Sequence, residues 1–282
     1  MKNNGKSDST INFTRKSLNY LVKHANLKQP EVVKAYIAQM KCGNAYKHNL
    51  CLAYDKYCKH HKIKWNPPVY KRQAKAIRIP TKAQIEMLIA SAGRINSIKL
   101  SLSKEAGLRP IELCNLKVRD LDIEQRTIYP ATAKNGAPRK LRISNSLNKA
   151  LQKHIIKFNL QPQDKIFNGS SANYSKHYRL HRNQLADKLS KPELRSIRLY
   201  DFRHYFATML YAKTKDILYV KQQLGHRKLE TTLIYTQLLD ITDEEYTCKT
   251  ATTAKQASDL IEAGFEYVTT TPDALMLFRK RK

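Results

Sequence analysis

The chain lacks most of what would let it be stapled, metal-bound or membrane-inserted. Its five cysteines are odd in number and never form a CxxC pair, which argues against both a disulfide framework and a zinc ribbon. The one cluster resembling a metal site is Cys51, Cys58, His60 and His61 in CLAYDKYCKHH. There the two thiols sit two helical turns apart and read more simply as small buried side chains. No apolar run approaches the roughly 20 residues that a membrane span requires, so a soluble chain with no membrane partner is expected. The opening MKNNGKSDST has no apolar core of a secretion signal, which makes the cytosol the expected location. Acidic residues are also scarce: 23 Asp and Glu face 52 Lys and Arg, a formal net charge of +29. Such an excess points to a polyanionic partner, nucleic acid first, and names no reaction.

A length of 282 residues suits two cores better than one. The first third carries apolar stripes at helical spacing: Leu18, Leu21, Val22 and Ala25; then Val33, Tyr36, Ile37 and Met40, with Pro30 suited to a first turn. A third stripe, Leu50, Ala53, Tyr54 and Tyr57, follows Asn44 as a possible cap. From Lys64 the pattern breaks into KWNPPVYKRQAKAIRIP, whose prolines and spaced cations deny both helical periodicity and a buried face. The expected organisation is therefore a helical DNA-binding domain over 1–66, a basic linker over 67–79 and a second domain over 80–282.

That second domain opens on a capping box, Thr81-x-x-Gln84. A later helix should end near Gly107, and Pro110 should start another directly after Arg109, leaving Arg109 beside helix-terminal N–H groups. In RTIYPATAKNGAPRKLRIS, β-formers flank Asn135-Gly136, a hairpin turn signal that puts Lys134 at the tip. Helices resume up to about residue 245. The chain closes with a helix near 254–263, Gly264, and two β-like runs, FEYVTTT and ALMLFRK, joined at Pro272-Asp273. The fold class is mainly α with a small β-sheet: a helical N-terminal domain plus a mixed α/β domain.

Four strings, GLRPIELCNLKVRDLDI, AKNGAPRK, YDFRHYFATML and QQLGHRKLETTLIYTQL, resemble in wording, order and separation the boxes of the tyrosine recombinase, or phage integrase, family. The resemblance is strong over roughly 80–240. Upstream, the helical domain matches the family's core-binding domain in position and size only. It implies a catalytic set of Arg109, Lys134, Tyr200, Arg203, His226 and Tyr235, acting on double-stranded DNA through a 3′-phosphotyrosyl intermediate without metal, ATP or other cofactor.

Chemistry explains the residue types. Attack on a phosphodiester builds negative charge on the non-bridging oxygens, and guanidinium groups match those oxygens with a planar, permanently charged fork, so Arg109 and Arg203 form the clamp. Tyr235, nine residues after His226, stands where the resemblance puts the family's nucleophile. Lys134 is the general acid for the departing 5′ oxygen, with Lys140 or Arg139 as alternatives should the hairpin register differ. The resemblance implies that His226 donates a hydrogen bond to a phosphate oxygen.

Where many members carry His three residues before the second arginine, this chain has Tyr200, as in archaeal-type integrases with a YxxR box. A phenol is a worse base than imidazole near neutrality, although Tyr200 can hydrogen-bond the phosphate or orient the nucleophile. His204 is expected to point to a different side of its helix. Strand exchange further implies a monomer in solution that assembles as a homotetramer on two DNA sites, clamped around duplex DNA, with the C-terminal helix and hairpin as contacts between protomers. A type IB topoisomerase and a DNA-binding regulator that has lost catalysis remain rival readings.

Overall fold

The computed structural model of the chain describes residues 5–71, 77–133, 136–236, 238, 246–272 and 274–281. Lys134 and Asn135, at the tip of the expected hairpin, lie outside them. Contacts divide the chain into two compact units, residues 1–76 and 77–282.

The first unit holds α1 (Asp8–Leu21), α2 (Pro30–Gln39) and α3 (Asn44–His61). Ser7 caps α1 by accepting from the Thr10 N–H, and Pro30 opens α2 at a position whose N–H no helix would use. The cap of α3 is Gly43 rather than Asn44, whose side chain instead donates to the Lys71 carbonyl. Leu21, Val33, Ile37, Leu50 and Tyr54 are closed to solvent, each such aliphatic group contributing roughly 1.5–3 kcal/mol. Cys51 and Cys58 are free thiols buried in the same core. The stretch after α3 places partly buried aromatic rings against this core. Trp65 meets Tyr54 edge-on at 4.7 Å, and Tyr70 packs against the same cluster.

The second unit begins with α4 (Lys82–Ala90), α5 (Arg94–Ala106) and α6 (Pro110–Asn115). Both hydrogen bonds of the Thr81–Gln84 capping box are present, Gly107 ends α5 at φ +57°, and Pro110 starts α6. Next come β1 (Leu121–Asp122), β2 (Thr127–Ile128) and β3 (Leu141–Arg142), an antiparallel sheet of order β1-β2-β3. Among the described residues pairing is shorter than expected: Thr127↔Arg142 and Ile128↔Leu141 are the pairs that join β2 to β3.

Helices α7 (Asn145–Lys157), α8 (Ser171–Lys188), α9 (Leu199–Thr214), α10 (Ile217–Leu224) and α11 (Glu230–Leu233) complete this part. Helix α5 packs against α4, α7 and α9, and its buried Leu100, Leu102 and Ala106 share one core with Leu113, Ile128, Leu141 and Phe202. A last group follows: β4 (Tyr246–Ala251), α12 (Ala254–Glu262), β5 (Glu266–Thr270) and β6 (Met276–Arg281). The helix and the β5–β6 pairing agree with the sequence reading. The pairing of β4 on β6, which makes the order β4-β6-β5, was not foreseen. Its core is small: Ala251, Ala257, Phe265 and Phe278. Among the described residues no helix is long and apolar enough to cross a membrane.

Candidate active site

Helix α9 carries the centre of the site. Its N-cap, Arg198, receives a capping box from Asp201: that carboxylate takes the Arg198 N–H at 2.7 Å and its guanidinium at 2.9 Å. Two residues on, Arg203 is 1% exposed. Its Nη1 donates to the Gly107 carbonyl at 2.5 Å and its Nη2 to the Leu224 carbonyl at 2.6 Å, so one side chain ties the ends of α5 and α10 to α9. Its Nε has no partner among the described residues. Burial, then repulsion from Arg109, pulls the guanidinium down to about 10; it remains charged at neutral pH.

Arg109 sits at the N-cap of α6, where the readable Gly107 and Pro110 signals place it. Glu112, three residues on, binds it twice, taking its N–H at 3.0 Å and its Nη1 at 2.7 Å. The same carboxylate takes Arg139 Nη2 at 2.5 Å, and both of those side chains are fully enclosed. Burial pushes the Glu112 carboxyl up, but the hydrogen bond and charge of Arg139, seconded by Arg109, hold it below its ordinary value. Arg139 is thus a structural partner that locks the β2–β3 loop onto α6. Lys140, the other alternative to Lys134, donates to the Gln125 side chain and lies over the Tyr129 ring. Lys134 itself is outside the described residues.

His226 follows directly on α10. Gly225 closes that helix at φ +63°, with its own N–H on Gln222 and the His226 N–H on Lys221, the paired bonds of a Schellman turn. The Gly225 carbonyl also accepts the Ala137 N–H at 3.2 Å, and a Cβ on Gly136 would lie 3.1 Å from that carbonyl. Gly136 thus suits a close approach of the two backbones, and its φ is not the positive one that a type I′ turn would demand. On the imidazole, Nε2 lies 3.2 Å from Arg203 Nη2 and Nδ1 lies 3.0 Å from Thr232 Oγ1. An arginine only donates, so Nε2 accepts and Nδ1–H points to Thr232. Burial first, then Arg203 and Arg109, depress this imidazole to about 4.

Tyr235, 1% exposed, stands just beyond α11. Burial raises its phenol to about 12, against the opposing pull of Arg203 and Arg109. Its hydroxyl lies 3.1 Å from His204 Nδ1. That overturns the expectation for His204: four residues after Tyr200, it shares that residue's helical face, and the two rings meet at 5.0 Å. Tyr200 is 40% exposed.

Two guanidinium groups, Arg109 and Arg139, thus hold one carboxylate, Glu112, and a third, Arg203, lies within electrostatic reach of all three, a local excess of two positive charges, 3 − 1 = +2.

The sequence profile of the phage integrase family matches residues 73–241. The chain belongs to the phage integrase family. As an integrase-family member it is 28% identical over 191 residues to the tyrosine recombinase XerA of Saccharolobus solfataricus, a match spanning 65% of this chain and 62% of the relative. With XerA of Pyrococcus horikoshii the identity is 27% over 183 residues, 61% of this chain and 60% of the relative. The chain thus aligns with about three fifths of the length of these curated relatives. In fold, this integrase-family chain is similar to the integrase of transposon Tn1549 bound to transposon right end DNA. The TM-score is 0.64 at 14% identity, covering 92% of this chain and 95% of that one. For the XerA recombinase crystal structure the TM-score is 0.50 at 20% identity, covering 85% and 91%.

The sequence gives no reading of Glu112 or Thr232, and it sets His204 aside on the wrong side of its helix. Glu112 stood at the N3 position after an N-cap, where a carboxylate reaching back is common. Thr232, 0% exposed, carried no local sign of its bond to His226.

Proposed function

We propose that this chain is a site-specific DNA recombinase that cuts and rejoins duplex DNA through a 3′-phosphotyrosyl link. The observation that carries the reading is the buried guanidinium of Arg203, which no carboxylate neutralises among the described residues, within the electrostatic reach of both Arg109 and the Tyr235 phenol. A scissile phosphate placed there accepts hydrogen bonds from both arginines, and these strengthen as charge builds on phosphorus oxygens. Tyr235 Oη attacks phosphorus, the bond to the 5′ oxygen breaks, and Lys134 protonates that oxygen. With the phosphate in place His226 carries its proton on Nε2 rather than Nδ1 and donates it to a phosphate oxygen, Thr232 then donating to Nδ1, and Tyr200 lines the solvent side. The guanidinium excess supplies the positive charge that a divalent ion would otherwise bring, so the step proceeds in EDTA, with no cofactor. The bond energy is conserved in the protein–DNA ester. Exchange between two duplex sites needs several protomers, and a chain monomeric in solution assembles on them as a tetramer.

The test is a suicide duplex, nicked near the cleavage site, run on a denaturing gel. The parent forms a covalent adduct in excess EDTA, and Tyr235→Phe binds the duplex equally but forms none. An adduct at normal yield with Tyr235→Phe excludes this nucleophile. Restoration of an EDTA-blocked reaction by Mg²⁺ excludes the metal-free step. Supercoil relaxation without exchange between two marked sites marks a topoisomerase instead.

A further inference from the structure

The attacking phenol must lose a proton, and the position where many members of the family carry an imidazole is a half-exposed tyrosine here. The contact that the structure does provide is made by the neighbouring turn of α9. His204, 8% exposed, sets Nδ1 at 3.1 Å from the Tyr235 hydroxyl, with the two rings 5.7 Å apart. Among the described residues that nitrogen is the only hydrogen-bond partner of the phenol oxygen. We propose that His204 is a catalytic residue: it takes the proton of Tyr235 during attack and returns it on religation. The inference rests on the recombinase reading above.

The step balances. Tyr235 Oη bonds to phosphorus, the bond from phosphorus to the 5′ oxygen breaks with its electron pair, and the phenol proton passes to His204 Nδ1. The 5′ oxygen takes its proton from the separate acid assigned to Lys134. For this, His204 must begin neutral, with Nδ1 bare and the proton on Nε2. Its surroundings favour that state: burial lowers its basicity, and Arg198 and Arg203 on its own helix add to the effect, while Asp201 on that helix opposes them. Tyr200 on α9 and Tyr235 from beyond α11 complete the groups facing it. A phenol held protonated by burial gains from an acceptor already in contact, and a positioned base typically contributes 10²–10⁴-fold. Tyr200 meets the His204 ring edge-on at 5.0 Å.

The experiment compares single-turnover cleavage by the parent and by His204→Asn from pH 5 to pH 8. Two suicide duplexes are used, one with an ordinary 5′ oxygen and one with sulfur in its place, whose departure needs no acid. The parent rate rises with pH through the imidazole's lowered range, below about 6.5, and then levels. Asn keeps an acceptor near the Nδ1 position but takes up no proton, so His204→Asn is expected to cleave about 100-fold more slowly on both duplexes, without that acid limb. A parent-like rate, or a slow rate that keeps the acid limb, overturns the proposal. Non-covalent duplex binding reports folding of the variant. His204→Gly provides the second reading: added imidazole is expected to restore at least tenfold, and no restoration in a variant that still binds DNA counts against a proton-transfer role. A parent chain that forms no adduct with either duplex would overturn the recombinase reading itself, an outcome distinct from an active parent with an equally active His204→Asn.

Discussion

Between the guanidinium groups of Arg109 and Arg139, the Glu112 carboxylate is held out of water, and it also takes the Arg109 N–H. Glu112→Gln keeps the shape but removes the charge, leaving buried guanidinium groups that repel one another and Arg203. Breaking a buried pair from one side costs about 3–5 kcal/mol, so urea denaturation is expected to show a loss of that order; a loss below about 1 kcal/mol would contradict the bridging role. His226 gives a pH signature. Its folded value of about 4 lies below the ordinary 6.5, so the unfolded chain binds the proton more tightly. Its contribution is complete above pH 6.5 and is lost as pH falls towards 4. The ring is only partly buried, and with solvent screening the loss is about 1 kcal/mol. Urea midpoints measured from pH 7 to pH 4 should therefore fall less steeply in His226→Gln than in the parent. Equal slopes would show that His226 is not buried neutral.

At the scale of elements, the end of α10 joins two parts of the site. Gly225 needs a positive φ, and a Cβ there would stand 2.9 Å from both the Ala137 carbonyl oxygen and Arg139 Nη1. Gly225→Ala therefore adds the left-handed penalty of about 1–2 kcal/mol to a clash with backbone that cannot swing aside. The expected result is a destabilisation of about 2 kcal/mol or more in thermal unfolding, together with slower cleavage, since His226 and the β2–β3 loop both hang on this turn. Unchanged stability would mean that the loop gives way freely. Local rules read this neighbourhood well: Gly107, Pro110 and the Thr81 box acted as punctuation because each works through bonds within a few residues. They failed where the partner was distant. Asn135-Gly136 suggested a tight hairpin, yet Gly136 answers to the carbonyl of Gly225, far along the chain. Likewise β4 became a strand by pairing with β6, about thirty residues later.

For the whole molecule, the net charge of +29 predicts affinity dominated by phosphate contacts. Each contact contributes a slope of about −0.9 in log K against log salt, so a titration from 50 to 200 mM salt should give a slope of about −6 or steeper. A slope shallower than about −2 would mean that the cations do not line a DNA path. The charge, the division into a helical unit and a mixed unit, and the motif boxes that carry Arg109, Arg203, His226 and Tyr235 all follow from the sequence alone, because composition, periodicity and short-range motifs are properties of the chain itself. Closure of the fold decided the rest. His204 meets Tyr235 across 31 residues, Glu112 meets Arg139 across 27, and Arg203 reaches the Gly107 carbonyl across 96. A buried polar group must find a partner wherever the packed core leaves one, and which partner that is depends on how helices distant in sequence come to rest against one another.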